Sequence, residues 1–338
     1  MKIRFWGVRG SIPSPGPNTA RYGGNTTCIE IRTDDNELII LDAGTGIFAL
    51  SQTLLREMPV TANVFITHTH WDHIQGLPFF IPIFVPGNTL RLHGAFDPVS
   101  GRGIEHIMEV QLQYSYFPVR EAEMKARIEY ETLMPEQSVQ VGSATITPTL
   151  LNHPVINFGY RIDCNGKSVF FTGDHEPYYN IYKPEDDGYE EYQTLIGDKE
   201  KSIIEAMRGV DVLIADSSYT TDEYPSKKGW GHGTFESCIA MGTKAGAKIV
   251  YCTHHEPTRS DEALEREFEK SSGITFEHGR RPGIPPGARR RGNRGITHSV
   301  PQFGRADERS VVRRMSGLPK GMCMVYLADN ATLIRPTV

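Results

Sequence analysis

The sequence predicts an α/β protein on three observations. Short apolar runs recur along the chain, amphipathic stretches fit between them, and an acid or a histidine stands just past the end of most runs. The runs are 37–41, 63–66, 168–171, 210–215 and 248–252, short enough and rich enough in Ile, Val, Leu and Phe to read as buried strands. Helices are expected at 45–58, at 234–245 after a glycine stretch, and at 260–270, where Ser260 and the acids Asp261 and Glu262 suit a helix start. The polar ends Leu41-Asp42, Ile66-Thr67-His68, Phe171-Thr172-Gly173-Asp174, Ala215-Asp216 and Cys252-Thr253-His254 place titratable side chains at strand C-termini. Open α/β sheets bind ligands at that edge.

Composition bounds the rest. The 338 residues are 38% hydrophobic and 23% charged with a formal net charge of -5, ordinary values for a globular chain and unfavourable to a diffuse nucleic-acid-binding surface. Five cysteines without a close Cys-x-x-Cys pair argue against a disulfide framework or zinc ribbon and for a reducing, cytoplasmic setting. The N-terminus lacks an apolar signal core, and the most apolar run, 79–85, is short and interrupted by Pro82, so neither export nor membrane insertion is expected. Residues 1–275 are read as one domain. Within it, 101–135 looks helical and reads either as a lid or as a surface excursion that packs its aromatics on the core. Residues 279–314 hold ten arginines and no lysine against Asp307 and Glu308, the composition of a mobile segment; few aromatics accompany the charge, so RNA binding is not favoured. The apolar run 322–327 reads as a closing strand before a tail ending at 338.

The densest chemical signal is Thr67-His68-Thr69-His70-Trp71-Asp72-His73. Imidazole and carboxylate are ligands for transition metals. In an extended start His68 and His70 point to one side, and a turn after Trp71 carries Asp72 and His73 to a neighbouring position, which makes two adjacent metal positions. Asn152-His153-Pro154, Thr172-Gly173-Asp174 and Thr253-His254-His255 supply further donors, each at or just past an apolar run.

Together these motifs resemble the metallo-β-lactamase fold superfamily, with its H-x-H-x-D-H signature followed by a distant His, a bridging Asp and a final His. The resemblance covers about residues 1–275 and implies a four-layer αββα sandwich with a dinuclear site at one edge of the paired sheets. It implies His68, His70 and His153 on one metal, Asp72 and His73 on the other, and Asp174 between them. The last ligand can be laid on His254 or His255, with His254 favoured from the strand-end Thr-His of phosphodiester-cleaving relatives. Asp42 matches a position that orders the metal loop, while its local chemistry also suits a cap for the helix at 45–58.

Gly229-Trp230-Gly231-His232-Gly233-Thr234-Phe235 resembles the Gly-His-Ser-Thr motif of the ribonuclease Z and cyclic-phosphodiester branch, with Gly233 in place of the small hydroxyl residue. The resemblance places His232 over a scissile phosphate, and a helix start beside it offers free N–H groups to the same anion. Gly7-Val8-Arg9-Gly10-Ser11-Ile12-Pro13, 21–28 and 116–119 look like a bacterial group of metal-dependent hydrolases similar to cyclic-phosphate phosphodiesterases; Arg9, Asn25 and Thr26 are expected in a hairpin lining the cleft. The expected reaction is attack on a small phosphodiester by hydroxide bridging two divalent ions. Zinc is the first choice, with manganese or iron as alternatives, and Asp72 and His232 are the catalytic groups. Thioester or lactam hydrolysis on the same site is the rival reaction, and RNA processing a weaker one.

Overall fold

The computed structural model describes residues 1–272 and, beyond them, three short strands at Arg313–Arg314, Cys323–Val325 and Thr332–Leu333. In chain order the strands are β1 Lys2–Gly7, β2 Cys28–Arg32, β3 Leu38–Leu41, β4 Thr61–Phe65, β5 Thr89–Gly94, β6 Arg127–Thr132, β7 Val139–Val141, β8 Ala144–Leu151, β9 Asn157–Cys164, β10 Lys167–Phe171, β11 Val212–Asp216 and β12 Ile249–Thr253, followed by the three short strands as β13, β14 and β15. The helices are α1 Gly46–Leu54, α2 Trp71–Ile74, α3 Ile104–Gln111, α4 Tyr189–Ala206, α5 Phe235–Ala245 and α6 Asp261–Ser272.

Two sheets result, ordered β15-β1-β2-β3-β4-β5-β6 and β13-β14-β12-β11-β10-β9-β8-β7. β3 to β6 run parallel, as do β10, β11, β12 and β14, while the remaining ladders are antiparallel, including that of β1 with β15. The four-residue β3 shows why the chain makes a sandwich. Ile39 and Leu41 face the core shared with the second sheet, whereas Leu38 and Ile40 face the opposite core beneath α1 and α3. Strand alternation divides one apolar run between two cores, each buried Leu or Ile contributing about 1.5–3 kcal/mol. On the second sheet Val169, Phe170 and Phe171 of β10 are all buried, and the core there extends through Ile203 of α4 and Phe235 of α5 to Leu264 and Phe268 of α6. This is the expected αββα layering.

Parallel alignment carries the ends of β3 and β4, and of β10, β11 and β12, to one edge of the sandwich. The two sheets are tied there: the buried Tyr160 hydroxyl donates to the Ile66 carbonyl at 2.7 Å, one residue beyond β4.

Some expectations need correction. The excursion at 101–135 is not wholly helical: α3 stops at Gln111 and 127–132 is the edge strand β6. The first helix ends at Leu54, four residues early. The eighteen-residue α4 was not anticipated; it is strongly polar and buries only Ile196 and Ile203, so its periodicity is faint. Most of the arginine-rich stretch, 279–312, lies outside the described residues, while Cys323–Val325 pairs parallel with β12. Among the described residues no helix is long and apolar enough to cross a membrane.

Arg9 is fully buried rather than exposed to a cleft. Its Nε donates to the Gly23 carbonyl at 2.9 Å, one terminal nitrogen to the Arg259 carbonyl at 2.7 Å, and the other lies 3.2 Å from Asp261. It therefore bolts the loop after β1 to the start of α6. Arg9→Ala removes this bolt and leaves a buried carboxylate without its cation; urea titration should show a loss of about 3–5 kcal/mol. A loss below about 1 kcal/mol would show that the bolt is dispensable.

Candidate metal centre

Past β4 the chain runs through a short irregular segment, with His70 extended, and then turns into α2, so the histidine motif divides between the two clusters. His68 Nε2 lies 3.0 Å from His70 Nδ1, and His153 Nε2, delivered by the segment after β8, lies 3.1 Å from the same atom. Asp174, beyond β10, brings its Oδ2 to 3.4 Å from His68 Nε2. Asp72 and His73 sit on α2 and turn to a second cluster: His254 Nε2 is 3.2 Å from His73 Nε2 and 3.0 Å from Asp72 Oδ2. The other oxygen of Asp174 reaches this cluster, 3.3 Å from His73 Nε2 and 3.2 Å from His254 Nε2. His68, His70, His153 and Asp174 thus form one donor set and Asp72, His73 and His254 another, and the second oxygen of Asp174 lies against His73 and His254.

The adjacent histidines are resolved by backbone conformation. His254 takes a positive φ of 58° at the end of β12, which aims its ring into the cluster. His255 points away and stacks on Phe235, ring centroids 6.1 Å apart and 11° from parallel.

Neutral imidazole nitrogens have no reason to converge at about 3 Å unless a proton or a cation lies among them. A tetrahedral zinc with bonds of about 2.0–2.1 Å has ligand-to-ligand edges of ~3.3 Å, close to the spacings here. A second observation agrees. Asp174 Oδ1 is buried and accepts no hydrogen bond among the described residues, although Asp174 itself is almost fully enclosed. A carboxylate oxygen so placed wants a cation. The donors therefore fit divalent metal.

Electrostatics point the same way. Burial would raise the Asp174 carboxyl, but His254, His73 and His232 overcome it and hold the group well below the usual carboxylate range. Burial lowers His68 well below its ordinary value, and lowers His153 to about 4, leaving both in the neutral form a metal requires. His73 goes the other way: burial opposes its charge, yet Asp174, Asp72 and Asp42 raise it well above the ordinary range. The second cluster demands positive charge.

Each ring is oriented from behind. Asp42 accepts from His73 Nδ1 at 2.8 Å, and from the Thr67 amide at 2.7 Å, which leaves His73 Nε2 for the cluster. It holds a positive φ of 60° and does not cap α1, whose first residues find no side-chain cap. His153 Nδ1 donates to the Gly231 carbonyl at 2.9 Å, and His254 Nδ1 meets Ser218 Oγ at 3.0 Å. The Ser11 amide donates to Asp72 Oδ2 at 2.6 Å. Two glycines make this packing fit. A Cβ on Gly10 would lie 2.3 Å from the His254 ring, and one on Gly231, whose φ is +91°, would lie 2.2 Å from His153 Nδ1.

His232 stands at the mouth. Its Nδ1 is 2.9 Å from Asp216 Oδ2 and 3.7 Å from Asp174 Oδ2, and its ring stacks on His254 with centroids 4.8 Å apart. Burial opposes protonation, but Asp216 and Asp174 prevail and raise the imidazole to about 9. Asp216 is near enough to join the metal donors, but its oxygens are taken: the Ser218 amide and hydroxyl bond Oδ1 at 2.9 and 2.6 Å, and His232 bonds Oδ2. Its hydrogen bonds go to His232 and to Ser218, which meets His254. The loop before His232 is set by buried Glu176, which accepts from the amides of Gly229 at 2.8 Å and Gly231 at 2.9 Å and from the Tyr224 hydroxyl at 2.7 Å.

One expectation fails here. The start of α5 offers fewer amides beside His232 than expected, because Thr234 and Ser237 form a capping box and the Phe235 amide donates to the Tyr219 carbonyl. Sequence reasoning also missed Asp216, Ser218, Ser11 and Glu176 as parts of the site. Asp216 carried a signal as an acid at a strand end, and Ser11 as part of the motif at 7–13.

This fold and donor arrangement define the class. The chain belongs to the beta-lactamase superfamily, whose domain profile matches residues 38–255. A ribonuclease Z of Lacticaseibacillus casei is 24% identical over 287 residues, covering 75% of this chain and 84% of the relative. Among solved structures, the metallo-beta-lactamase fold protein YhfI of Bacillus subtilis superposes with a TM-score of 0.55 at 19% identity, covering 80% of this chain and 92% of its own. A diphosphatase of the PhnP family gives 0.54 at 19% identity, with 79% and 91% covered. The coarse chemistry that accompanies this membership is metal-dependent hydrolysis.

Gly231→Ala should lower zinc affinity at least tenfold in chelator competition while far-ultraviolet circular dichroism stays native, because the new methyl displaces His153. Gly229→Ala carries similar backbone strain, with φ +88° and its nearest contact on Tyr179, and should leave the affinity within about threefold. Equal losses would mean that strain, not the His153 contact, is responsible.

Proposed function

We propose that this protein is a phosphodiesterase that holds two divalent cations, most suitably zinc, and hydrolyses a small phosphodiester such as a cyclic nucleotide or cyclic phosphate. The observation that carries this reading is the pair of donor sets reached by the two oxygens of Asp174, with His232 held beside them by Asp216. His68, His70, His153 and Asp174 would hold one ion; Asp72, His73, His254 and Asp174 the other. Five imidazoles without thiolates suit zinc, and manganese or iron can use the same set. Bound there, the ions supply Lewis acidity and lower the pKa of a water molecule toward neutrality.

The chain's own groups divide the remaining work. Asp72, fixed by the Ser11 amide, orients the attacking water and can take its proton. His232 has Nδ1 committed to Asp216, so Nε2 is the atom left to bond a phosphoryl oxygen or to protonate the departing one. Thioester or lactam hydrolysis has no comparable need for that second imidazole edge. The ribonuclease and the diphosphatase among the relatives support phosphate as the reacting centre, and a larger RNA substrate is compatible with the same chemistry.

Elemental analysis of purified protein should find about two transition-metal ions per chain, and Asp174→Ala should deplete both positions. One ion or none after reconstitution with zinc or manganese would defeat the dinuclear assignment. His254→Ala should lose far more metal than His255→Ala when only folded protein is compared, and equal losses would overturn the choice of His254.

The reaction itself is tested with a panel of bis-p-nitrophenyl phosphate, cyclic nucleotides, nitrocefin and a thioester. Hydrolysis of the phosphodiesters should fall by about 10²–10⁴ in His232→Ala with metal content retained. Turnover confined to nitrocefin or the thioester, or indifference to His232→Ala, would sink the phosphodiester reading.

A further inference from the structure

Tyr219 adjoins His232 at the mouth of the centre. It lies just beyond β11, and its backbone is tied to the His232 loop twice: its amide donates to the Gly233 carbonyl at 3.1 Å, and its carbonyl accepts from the Phe235 amide at 3.3 Å. The Tyr219 and His232 rings meet edge to face, with centroids 5.7 Å apart and planes at 83°. The Lys227 ammonium lies over the tyrosine ring, 6.0 Å from its centroid. His232 in turn stacks on His254 of the second donor cluster. Tyr219 is therefore held in a fixed relation to the reacting groups.

The polar end of this side chain has no work in the fold. A buried tyrosine ordinarily finds a partner for its hydroxyl, and those of Tyr22, Tyr130, Tyr160 and Tyr224 each donate to a carboxylate or a carbonyl. Tyr219 is only 7% exposed, yet its hydroxyl bonds no group among the described residues. The oxygen is not sealed off, so the small part of the residue that solvent reaches includes it. Burial raises the phenol above its ordinary range, and the carboxylates of Asp216, Glu256, Asp174 and Glu176 raise it further. The proton therefore stays in place near neutral pH, and the group is a donor. Asp174 belongs to the donor clusters, so the phenol stands within electrostatic reach of the centre.

We propose that Tyr219 is a further catalytic residue, its hydroxyl donating to a non-bridging oxygen of the bound phosphodiester beside His232. The assignment rests on the phosphodiesterase reading above and adds a third protein group to that reaction. Phosphoryl transfer leaves charge on the non-bridging oxygens and builds it on the departing one. His232 has a single nitrogen, Nε2, to offer, and the Phe235 amide is already engaged by Tyr219 itself. With Tyr219 bonded to a non-bridging oxygen, His232 Nε2 is free to give its proton to the departing oxygen as that oxygen's bond to phosphorus breaks. The phenol is suited to this work because its ring is packed before substrate arrives, and a donor fixed in advance needs no rearrangement during the reaction.

Tyr219→Phe keeps the ring and removes only the oxygen. In zinc-reconstituted protein, kcat on bis-p-nitrophenyl phosphate should fall by about 10–100-fold, the effect of losing one donor to a charged oxygen. Metal content should not change, and the Tm should stay within about 2 °C of the wild type, because the hydroxyl makes no bond in the fold. Inorganic phosphate, titrated by calorimetry, gives a readout independent of turnover: its Kd should rise at least about fivefold in Tyr219→Phe. The same rise should appear when the change is made in His232→Ala protein, since the oxygen acts on the anion and not through the imidazole. Unchanged kcat with unchanged phosphate binding would overturn the assignment and leave the phosphodiesterase reading standing. Lost metal, a lower Tm, or an effect on phosphate that vanishes in the His232→Ala background would overturn it as well, because the oxygen would then act through the fold or through His232. If no phosphodiester is hydrolysed while phosphate still binds more weakly to Tyr219→Phe, the donor stands and the phosphodiesterase reading falls.

Discussion

The rest of the site depends on one carboxylate. Asp174 is almost fully buried at the end of β10 and sends its two oxygens to two different sets of imidazoles. Burying a carboxylate is costly unless positive charge answers it, and here several histidines do so at once. The clusters on either side therefore stand or fall with the geometry that holds Asp174. That geometry comes from the parallel pairing of β10 with β11, which sets its turn beside Asp216, and from Asn157, whose amide donates to the Asp174 carbonyl at 2.6 Å.

Around this charge the chain spends many polar groups on orientation. Asp42, Thr67, Ser218, Asp216 and Glu176 are buried, and each bonds a ligand candidate, the loop that carries one, or both. An imidazole can turn on its two side-chain bonds, so a donor nitrogen is dependable only when the opposite nitrogen is engaged. The close glycines belong to the same arrangement, since Gly10 and Gly231 leave room for rings that a methyl group would displace. Stability and site geometry are joined through Arg9, which fixes the loop carrying Gly10 and Ser11 to α6 and so indirectly fixes Asp72.

The surroundings of the centre are asymmetric. On one side stands His232, on a loop with Trp230 and Lys227, whose ammonium lies 4.2 Å over the indole. On the other is an aromatic-lined cavity formed with α3 and the chain after it. The helical excursion expected over the site is thus half sheet edge and half cavity wall.

How much of this was legible in the sequence follows from the range of each interaction. Alternation within six residues separates His68 and His70 from Asp72 and His73, because those directions are set by local backbone geometry. The apolar runs marked most of the strands that end at the site, since their burial on both faces leaves a continuous signature. The αββα layering and the remaining ligand candidates came from motifs recognised as a set. Local pattern could not distinguish His254 from His255, because the choice turns on a left-handed residue at the end of β12 and on space left by Gly10, 244 positions earlier. Nor could it reveal that Asp216 is saturated by hydrogen bonds, that Arg9 is a buried bolt, or that Trp71, Phe79 and Gln111 share one cavity. Those facts depend on contacts between residues far apart in the chain, and only folding brings them within bonding distance.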